Sequence, residues 1–320
     1  MRVARTLVRA VLIGIVSVGI IVPASVASAE PTVAELQRQI DEASTNLEKI
    51  VEQYNRVTEE LKATQAAQTA LVAQLGPLQT NMDAAYAAVS TVAVEAYKGM
   101  PLSKSAALLE AGSPADLLDQ LGALDQIGRQ RRTEISGYER AKSTFDIQKK
   151  QLDETQAAQS TQQQQLNAQK TKIDSDLQAL YALRTKAFGR AQDPPVKSTA
   201  TAPAVSGSAG VAVRFAYGAL GVPYVWAGES SKGYDCSGLT MAAWGAAGKS
   251  LPHNAAMQWN VVAHIRRADA LPGDLVFYNG LGHVGIYVGG GQIIHAPHAG
   301  TVVQLASVDV MTPYGFGRVR

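Results

Sequence analysis

Apolar residues recur along the first half of the chain at alternating spacings of three and four positions. From Val33 to Ala96 this seam is apolar except in its middle, where Thr64 and Gln68 are polar. A repeat of about 3.5 residues keeps one seam of a helix against a partner helix and forces a left-handed supercoil. The pattern therefore predicts one long helix of about 100 Å.

A second, weaker heptad stretch runs from Leu117 to Leu180, after a break rich in glycine and proline between Lys98 and Pro114. Ser113 followed by Pro114 is typical of a helix N-cap with proline at the first helical position. Two heptad helices joined by a short break predict an antiparallel coiled-coil hairpin over residues 30–190. Pairing of each helix with another chain is the alternative.

The composition changes twice after the hairpin. Residues 191–209 are rich in Pro, Ser, Thr, Ala and Gly, which predicts a flexible linker that lets the next domain move. From residue 210 onward heptads vanish, a helix is expected at 211–221, and strands are expected between glycine-rich turns. The predicted strands are 274–278, 284–288, 292–296, 301–305 and 316–320. Helices before an antiparallel sheet predict an α+β domain at residues 210–320.

The first 29 residues are typical of an export signal. A start rich in arginine precedes an apolar run from Ala10 to Val22, and Ala27-Ser28-Ala29 forms a small-residue cleavage pattern. The apolar run is shorter than the roughly 20 residues that span a bilayer. We therefore expect a secreted or cell-envelope protein, with an uncleaved anchor as the alternative.

The balance of charges and the single cysteine limit the kinds of function that the chain can have. The chain of 320 residues has 29 basic and 27 acidic residues, a balance that argues against a nucleic-acid partner. Cys236 is the one cysteine, so an internal disulfide is excluded. Its thiol is either buried and inert or reserved for chemistry.

Cys236 lies between two polar residues, Asp235 and Ser237, at the predicted start of a helix that runs to Ala247. The helix dipole at that position favours anions and should lower the thiol pKa. The free backbone N–H groups there, including that of Cys236, can stabilise an oxyanion. The alternative is a buried cysteine that acts as a small apolar side chain.

Two of the five histidines are candidates for a base and its partner. His283 opens one predicted strand and His295 ends the next, so neighbouring antiparallel strands would bring them together. His283 could then accept the Cys236 proton while His295 fixes its tautomer. His253, His264 and His298 are assigned to the surface or to a satisfied core.

Neither a metal site nor a cofactor site is predicted. His295 and His298 are three positions apart, but Pro297 rules out a shared helix face and no second ligand cluster follows. The glycines at 289–291 form a turn between strands rather than a phosphate-binding loop.

Three segments together resemble the NlpC family of bacterial cell-wall cysteine peptidases. These are Tyr-Asp-Cys-Ser-Gly-Leu at 234–239, Leu-Pro-Gly-Asp-Leu-Val-Phe-Tyr at 271–278, and His-Val-Gly-Ile-Tyr at 283–287 with the later histidine. Motif types, order and spacing agree over residues 210–320. The resemblance implies a papain-like core with a Cys–His–His triad.

The resemblance also assigns roles. Cys236 becomes the nucleophile, His283 the base and His295 the orienting residue. Tyr224 would join the Cys236 N–H in the oxyanion hole, Asp235 and Ser237 would contact substrate, and Asp274 would be structural.

The implied substrate is the peptide stem of peptidoglycan, cut between γ-D-glutamyl and the diamino acid. The segment 251–258 departs from the family pattern, because His253-Asn254 stands where Arg-Thr or Arg-Ser is usual. This departure leaves the substrate preference open.

Three functions remain open for the domain: an active endopeptidase, a catalytically silent wall-binding or scaffold protein, and an acyltransferase or amidase on the same core. Because the family often joins the domain to a helical hairpin, we expect the coiled coil to regulate or dock the enzyme. It could cover the cleft or bind a membrane-associated regulator of cell division or wall remodelling.

Overall fold

A computed structural model of the chain describes residues 31–98, 114–195 and 199–320. The predicted signal segment, the glycine- and proline-rich break and the Ser113 cap lie outside these ranges. No helix within the described ranges combines the length and the apolar character needed to cross a membrane.

Two long helices dominate the N-terminal region. Helix α1 spans Val33–Tyr97 and helix α2 spans Pro114–Phe188. They run antiparallel: Leu166 packs with Val57 and Leu61 near one end, and the rings of Tyr86 and Tyr138 lie 5.8 Å apart farther out. The two helices therefore pair with each other within one chain.

The C-terminal region is a sheet covered by short helices. The helices are α3 (Gly207–Gly218), α4 (Cys236–Ala246) and α5 (Ala255–Val261), with a 3-10 turn at Arg267–Asp269. The strands are β1 (Glu229–Ser230), β2 (Gly233–Tyr234), β3 (Ala263–Ile265), β4 (Leu275–Tyr278), β5 (His283–Gly289), β6 (Gln292–His295), β7 (Gln304–Ser307) and β8 (Pro313–Arg318). Strands β3 to β8 form one antiparallel sheet in the order β3-β8-β4-β5-β6-β7, while β1 and β2 form a small hairpin. Helices α3 and α4 pack against β5.

The predicted α+β fold class after a long helical region is confirmed. Strands β4 to β6 begin within one residue of their predicted starts. The strand predicted at 301–305 instead lies at Gln304–Ser307. Strands β1 to β3 and helix α5 were not predicted, because elements of two to seven residues are too short for a periodic pattern.

The predicted linker is wrong at its C-terminal end. Helix α3 begins at Gly207, four positions before the predicted start, because Ala212, Val213 and Ala216 on one helical face are buried in the core and hold the helix in place. Residues 199–206 have no regular structure.

The start of the linker is fastened to the C-terminal domain rather than free. The buried guanidinium of Arg184, near the end of α2, donates to the carbonyls of Ala191 (2.9 Å) and Gly300 (2.8 Å). The Asp193 carboxylate forms an ion pair with Arg184 at 3.1 Å, and the backbone N–H of Asp193 donates to the Gly300 carbonyl. A Cβ at Gly300, whose φ is +88°, would meet Arg184 at 2.4 Å, so this approach needs glycine.

One hydrophobic core joins the hairpin to the domain. Ile40, Leu47 and Val51 of α1 and Leu180 of α2 are buried in the same cluster as the side chains of α3, α4 and the sheet. The rings of Tyr54 in α1 and Trp226 in the domain also form a T-shaped pair, with centroids 5.3 Å apart. The base of the hairpin is therefore packed as part of the domain.

Candidate active site

Cys236 is the first residue of α4, as the sequence predicted. The side chain of Asp235 caps the helix by accepting the Gly238 N–H at 2.7 Å. A Cβ at Gly238 would lie 2.0 Å from the Gly228 carbonyl oxygen, so only glycine permits this close approach. The Asp-Cys-Ser-Gly sequence thus builds a tight, capped turn that fixes the cysteine at the helix start.

His283 and His295 come together where β5 begins and β6 ends. Ile286 pairs with Ile294, so the next pair along the two strands is Gly285 with His295. A Cβ at Gly285 would lie only 3.2 Å from that of His295, so a larger residue there would crowd the His295 side chain. His283 Nε2 and His295 Nδ1 are 2.9 Å apart, and both residues are buried.

His295 is held neutral by its surroundings. Burial first, and then the neighbouring rings of His283 and His298, lower its pKa well below the usual value. A neutral His295 can accept a hydrogen bond at Nδ1 and thereby fix the proton of His283 on Nε2. That tautomer leaves Nδ1 of His283 unprotonated and able to act as a base.

Helix α1 covers both candidate residues. Glu48 Oε1 lies 3.0 Å from His283 Nδ1, although the two atoms are not aligned as a hydrogen bond. The Cys236 thiol donates to Glu52 Oε1 at 3.4 Å. Glu48 and Glu52 are four residues apart and share one face of α1, so Cys236 and His283 lie under neighbouring turns of that helix.

The Glu52 carboxyl group is held from several sides. Oε1 also accepts from Ser237 Oγ at 2.6 Å, while Oε2 accepts from Asn254 Nδ2 at 2.8 Å and from the Ala255 N–H at 2.6 Å. Burial, followed by the charge of Asp235, raises the pKa of Glu52 to about 7. Sequence reasoning missed this residue.

Asp235 and His253 form a second buried pair in the site. His253 Nε2 lies 2.8 Å from Asp235 Oδ1, and Asn55 of α1 donates to Asp235 Oδ2 at 2.8 Å. Burial lowers the pKa of His253, but the charge and hydrogen bond of Asp235 outweigh it and the pKa is raised overall. His253 is thus satisfied in the interior, as expected, but it lies against Asp235.

The expected ionised thiol is not found in this arrangement. Burial, followed by the charges of Glu52 and Asp235, raises the pKa of Cys236 well above its usual value. The dipole of α4 favours the thiolate, but burial of the sulfur and the nearby carboxylates of Glu52 and Asp235 oppose it. Cys236 is therefore a protonated thiol while α1 covers it.

The remaining predicted residues fall into two groups. Tyr224 is buried, and burial followed by the charges of Asp235 and Cys236 raises the pKa of its hydroxyl. Asp274 instead accepts from Arg318 at 2.7 Å and from the Leu271 N–H, which is a structural role. His264 stacks on Trp259 and His298 bonds the Ala299 carbonyl.

Within the residues that the structure describes, no three or more His, Cys, Asp or Glu side chains are arranged to hold a metal ion. The site contains one thiol, three histidines and three carboxyl groups, and α1 supplies two of the carboxyl groups.

Comparisons with known proteins match the C-terminal part of the chain. Residues 221–317 match the model of the NlpC/P60 family. The chain is 42% identical over 105 residues to "Probable endopeptidase p60" of Listeria grayi, covering 31% of this chain and 20% of that protein. It is 36% identical over 126 residues to "Probable endopeptidase" of Corynebacterium glutamicum (strain R), covering 39% of this chain and 59% of that protein.

Among solved structures, the NlpC/p60 domain of the peptidoglycan hydrolase SagA is 35% identical, with a TM-score of 0.33. The match covers 35% of this chain and 98% of that one. The chain spans between a fifth and three fifths of the length of the two curated relatives named above. Residues 221–317 of this chain are therefore an NlpC/P60 family domain.

Proposed function

We propose that the chain is a secreted peptidoglycan endopeptidase that its own helical hairpin holds inactive. The buried cluster of Cys236, His283 and His295, with Glu48 and Glu52 of α1 placed on it, is the observation that carries the proposal. The names of its relatives, which are endopeptidases and peptidoglycan hydrolases, support the same reaction class.

In the proposed reaction Cys236 is the nucleophile and His283 is the base. His283 Nδ1 takes the thiol proton, since Nε2 is engaged with His295 at 2.9 Å. The thiolate attacks the stem-peptide carbonyl, and the Cys236 N–H and the Tyr224 hydroxyl stabilise the oxyanion. His283 then protonates the leaving amine, and water hydrolyses the thioester. We assign the cut to the bond between D-glutamyl and the diamino acid.

The hairpin opposes this reaction in two ways. Glu48 approaches His283 Nδ1, the nitrogen that must receive the proton. Glu52 occupies the space beside the sulfur and raises its pKa, so less thiolate forms. Activity therefore requires α1 to leave the cleft. A membrane-associated regulator of cell division or wall remodelling is the class of partner that we propose to pull it away.

The test uses the full chain with Glu48→Ala and Glu52→Ala, referred to below as the opened chain. Incubation with muropeptides should release fragments whose new N-terminus is the diamino acid, identified by mass spectrometry. Adding Cys236→Ala to the opened chain should lower the rate roughly 10⁴-fold or more, with the fold retained.

Two outcomes would count against the proposal. Residual cleavage after Cys236→Ala would mean that the nucleophile is misassigned. An opened chain whose Cys236 reacts with alkylating reagents but which cuts no muropeptide would favour the silent wall-binding alternative.

A further inference from the structure

An open cavity lies between the turn that joins β4 to β5 and the start of β8. Its volume is about 670 Å³, which is within the usual range for small-molecule sites. The residues that line it are Asn279, Gly280, Met311, Thr312, Pro313 and Tyr314. None of these residues carries a charge, while an aromatic ring, a carboxamide and a hydroxyl group are among them. The lining of this cavity, called the Tyr314 cavity below, therefore suits a neutral ligand with an apolar face and hydrogen-bonding groups.

The aromatic ring of the lining is exposed and yet firmly held. Tyr314 is 55% exposed, and its ring makes a T-shaped contact with Trp259, with centroids 5.4 Å apart. His264 stacks on the same indole at 3.7 Å. Gly315 permits this packing, because a Cβ there would lie 2.5 Å from Trp259 Cη2. The Tyr314 ring is thus an ordered apolar wall, and a ligand that packs on it has little side-chain freedom to remove.

The polar groups of the cavity are available to a ligand. The carboxamide Nδ2 of Asn279 donates to the Met311 sulfur at 3.5 Å, and a thioether is a weak acceptor. A ligand carbonyl would be a stronger acceptor for the same amide. The side chain of Thr312 is exposed, and its hydroxyl can donate or accept.

The Tyr314 cavity lies near the candidate active site. Tyr278 of β4 pairs with His283 of β5 on one side and with Pro313 of β8 on the other. Because neighbouring strands are about 4.8 Å apart, the backbone of Pro313 lies about 10 Å from that of His283. Two extended residues span about 7 Å. In peptidoglycan two stem residues and a lactyl ether separate the D-glutamyl bond from the sugar, so a sugar on the cut stem can reach the cavity.

We propose that the Tyr314 cavity binds an N-acetylated sugar of the glycan strand, with a C–H face of the sugar ring on Tyr314 and the acetamido carbonyl accepting from Asn279. This inference rests on the proposed peptidase function. Stem peptides carry carboxylates and ammonium groups, for which the cavity offers no counter-charge, whereas the sugar is neutral and has an apolar face. The sugar belongs either to the cut stem or to a neighbouring strand, and both have the same chemistry.

The first test needs no catalysis and no opening of the cleft, because the cavity is open while α1 covers Cys236. Binding of tri-N-acetylchitotriose to the full chain is measured by calorimetry. Tyr314→Ala should weaken binding roughly fivefold or more, while Tyr314→Phe, which keeps the ring, should not. Tyr86→Ala removes a ring that is 59% exposed on α1, farther from the domain, and is the matched control.

A second variant tests the polar contact. Asn279 has a φ of +52°, so Asn279→Gly keeps the turn and removes only the carboxamide. This variant should also weaken chitotriose binding. Maltotriose, which lacks acetamido groups, should bind the wild-type chain more weakly than chitotriose does.

The last test compares cleavage by the opened chain of a stem peptide with and without its disaccharide. The ratio of the two kcat/KM values should favour the disaccharide form and fall toward one in Tyr314→Ala, but not in Tyr86→Ala. Chitotriose binding without such a preference would assign the sugar to a neighbouring strand. A chain that does not bind chitotriose, or binding that survives Tyr314→Ala, would overturn the subsite even if stems are cut. Tyr314-dependent binding without any cleavage would keep the subsite and refute the proposed peptidase.

Discussion

The two halves of α1 carry the same heptad spacing but have different surroundings. In the half that lies against the domain, Val51, which is outside the seam, is only 1% exposed. In the half that extends beyond the domain, Val72 and Tyr86, also outside the seam, are 53% and 59% exposed. A heptad seam buries one face of a helix against one partner. Among the described residues, only the inner half also contacts the C-terminal domain, and this contact buries a second, polar face beside the seam.

That second face is where the regulation is proposed to lie. Ser44, Glu48, Glu52 and Asn55 are all nearly buried, at spacings of four, four and three residues. Three of them contact residues of the candidate site, namely Glu48, Glu52 and Asn55. In the outer half, polar residues at similar spacings face solvent. The comparison predicts that changes in the inner half alter the site, while matched changes in the outer half do not.

The largest effect is expected from opening the cleft. In the chain with Glu48→Ala and Glu52→Ala, Cys236 should react with iodoacetamide roughly 100-fold faster, since its pKa falls and its cover is weakened. The one cysteine makes mass spectrometry of the intact protein a direct measurement. Asp83→Ala removes an exposed carboxylate from the outer half, where its partner is Gln79, and should change nothing. Equal reactivity of all three proteins would mean that α1 does not protect the thiol.

Sequence patterns predicted the parts of this arrangement that repeat or carry a motif. The long helices follow from heptads. Cys236 follows from a helix start, and His283 and His295 follow from the start and the end of neighbouring strands. Glu48 and Glu52 could not be found in this way. Polar residues at helical spacing beside an apolar seam look the same whether they face water or a docked domain. Their burial depends on contacts with residues roughly 180 to 240 positions away in the sequence.

His253 and Asn254 gave a signal that could have been used. They depart from the family motif that the segment otherwise resembles, and both are buried against charged groups of the site. A departure at a buried position is more informative than one at the surface, because each buried polar group needs a partner. The partner of Asn254 is on α1, so the hairpin and the segment 251–258 are best interpreted together.

The next largest effect is expected where α2 is fastened to the domain. Arg184→Met leaves three acceptors without their cationic donor. These are the carbonyls of Ala191 and Gly300 and the carboxylate of Asp193. We expect a loss of about 3 kcal/mol in the free energy of unfolding, measured by urea denaturation. Lys142→Met, in the part of α2 that extends beyond the domain, breaks an exposed ion pair with Asp146 and should leave the urea midpoint unchanged. Similar losses of stability in both variants would mean that the part of the hairpin beside the domain is no more firmly held than the part beyond it.

A smaller loss is expected from one buried valine of α1. Val51→Ala deletes two methyl groups from a site that is 1% exposed, which should cost about 2 kcal/mol. Val72→Ala makes the same change at an exposed position of the same helix and should cost less than about 0.5 kcal/mol. Urea unfolding of both variants gives the comparison. A costly Val72→Ala would mean that the outer half is also covered, by a second chain or another partner.

The last effect is expected from pH, and it acts through a single carboxyl group. The pKa of Glu52 is about 7 in the closed cleft and returns toward 4.5 when α1 leaves, so closing binds a proton. The closed state is therefore favoured at low pH, and this advantage is lost as pH rises through about 7. Alkylation of Cys236 also accelerates with pH through its own ionisation, so the useful quantity is the rate ratio of wild type to Glu52→Gln.

Glutamine reproduces the protonated, uncharged form of Glu52 at every pH, which makes Glu52→Gln the matched control. The ratio of alkylation rates should be close to one below pH 4.5, should rise between pH 4.5 and about 7, and should level off above that. Asp235, Glu48 and His253 also surround the site, but all three are the same in both proteins and cancel from the ratio to first order. A ratio that stays flat across this range would show that the proton resides elsewhere in the cluster. Closure by the inner half of α1 would then depend on its packing and neutral hydrogen bonds, with no contribution from the titration of Glu52.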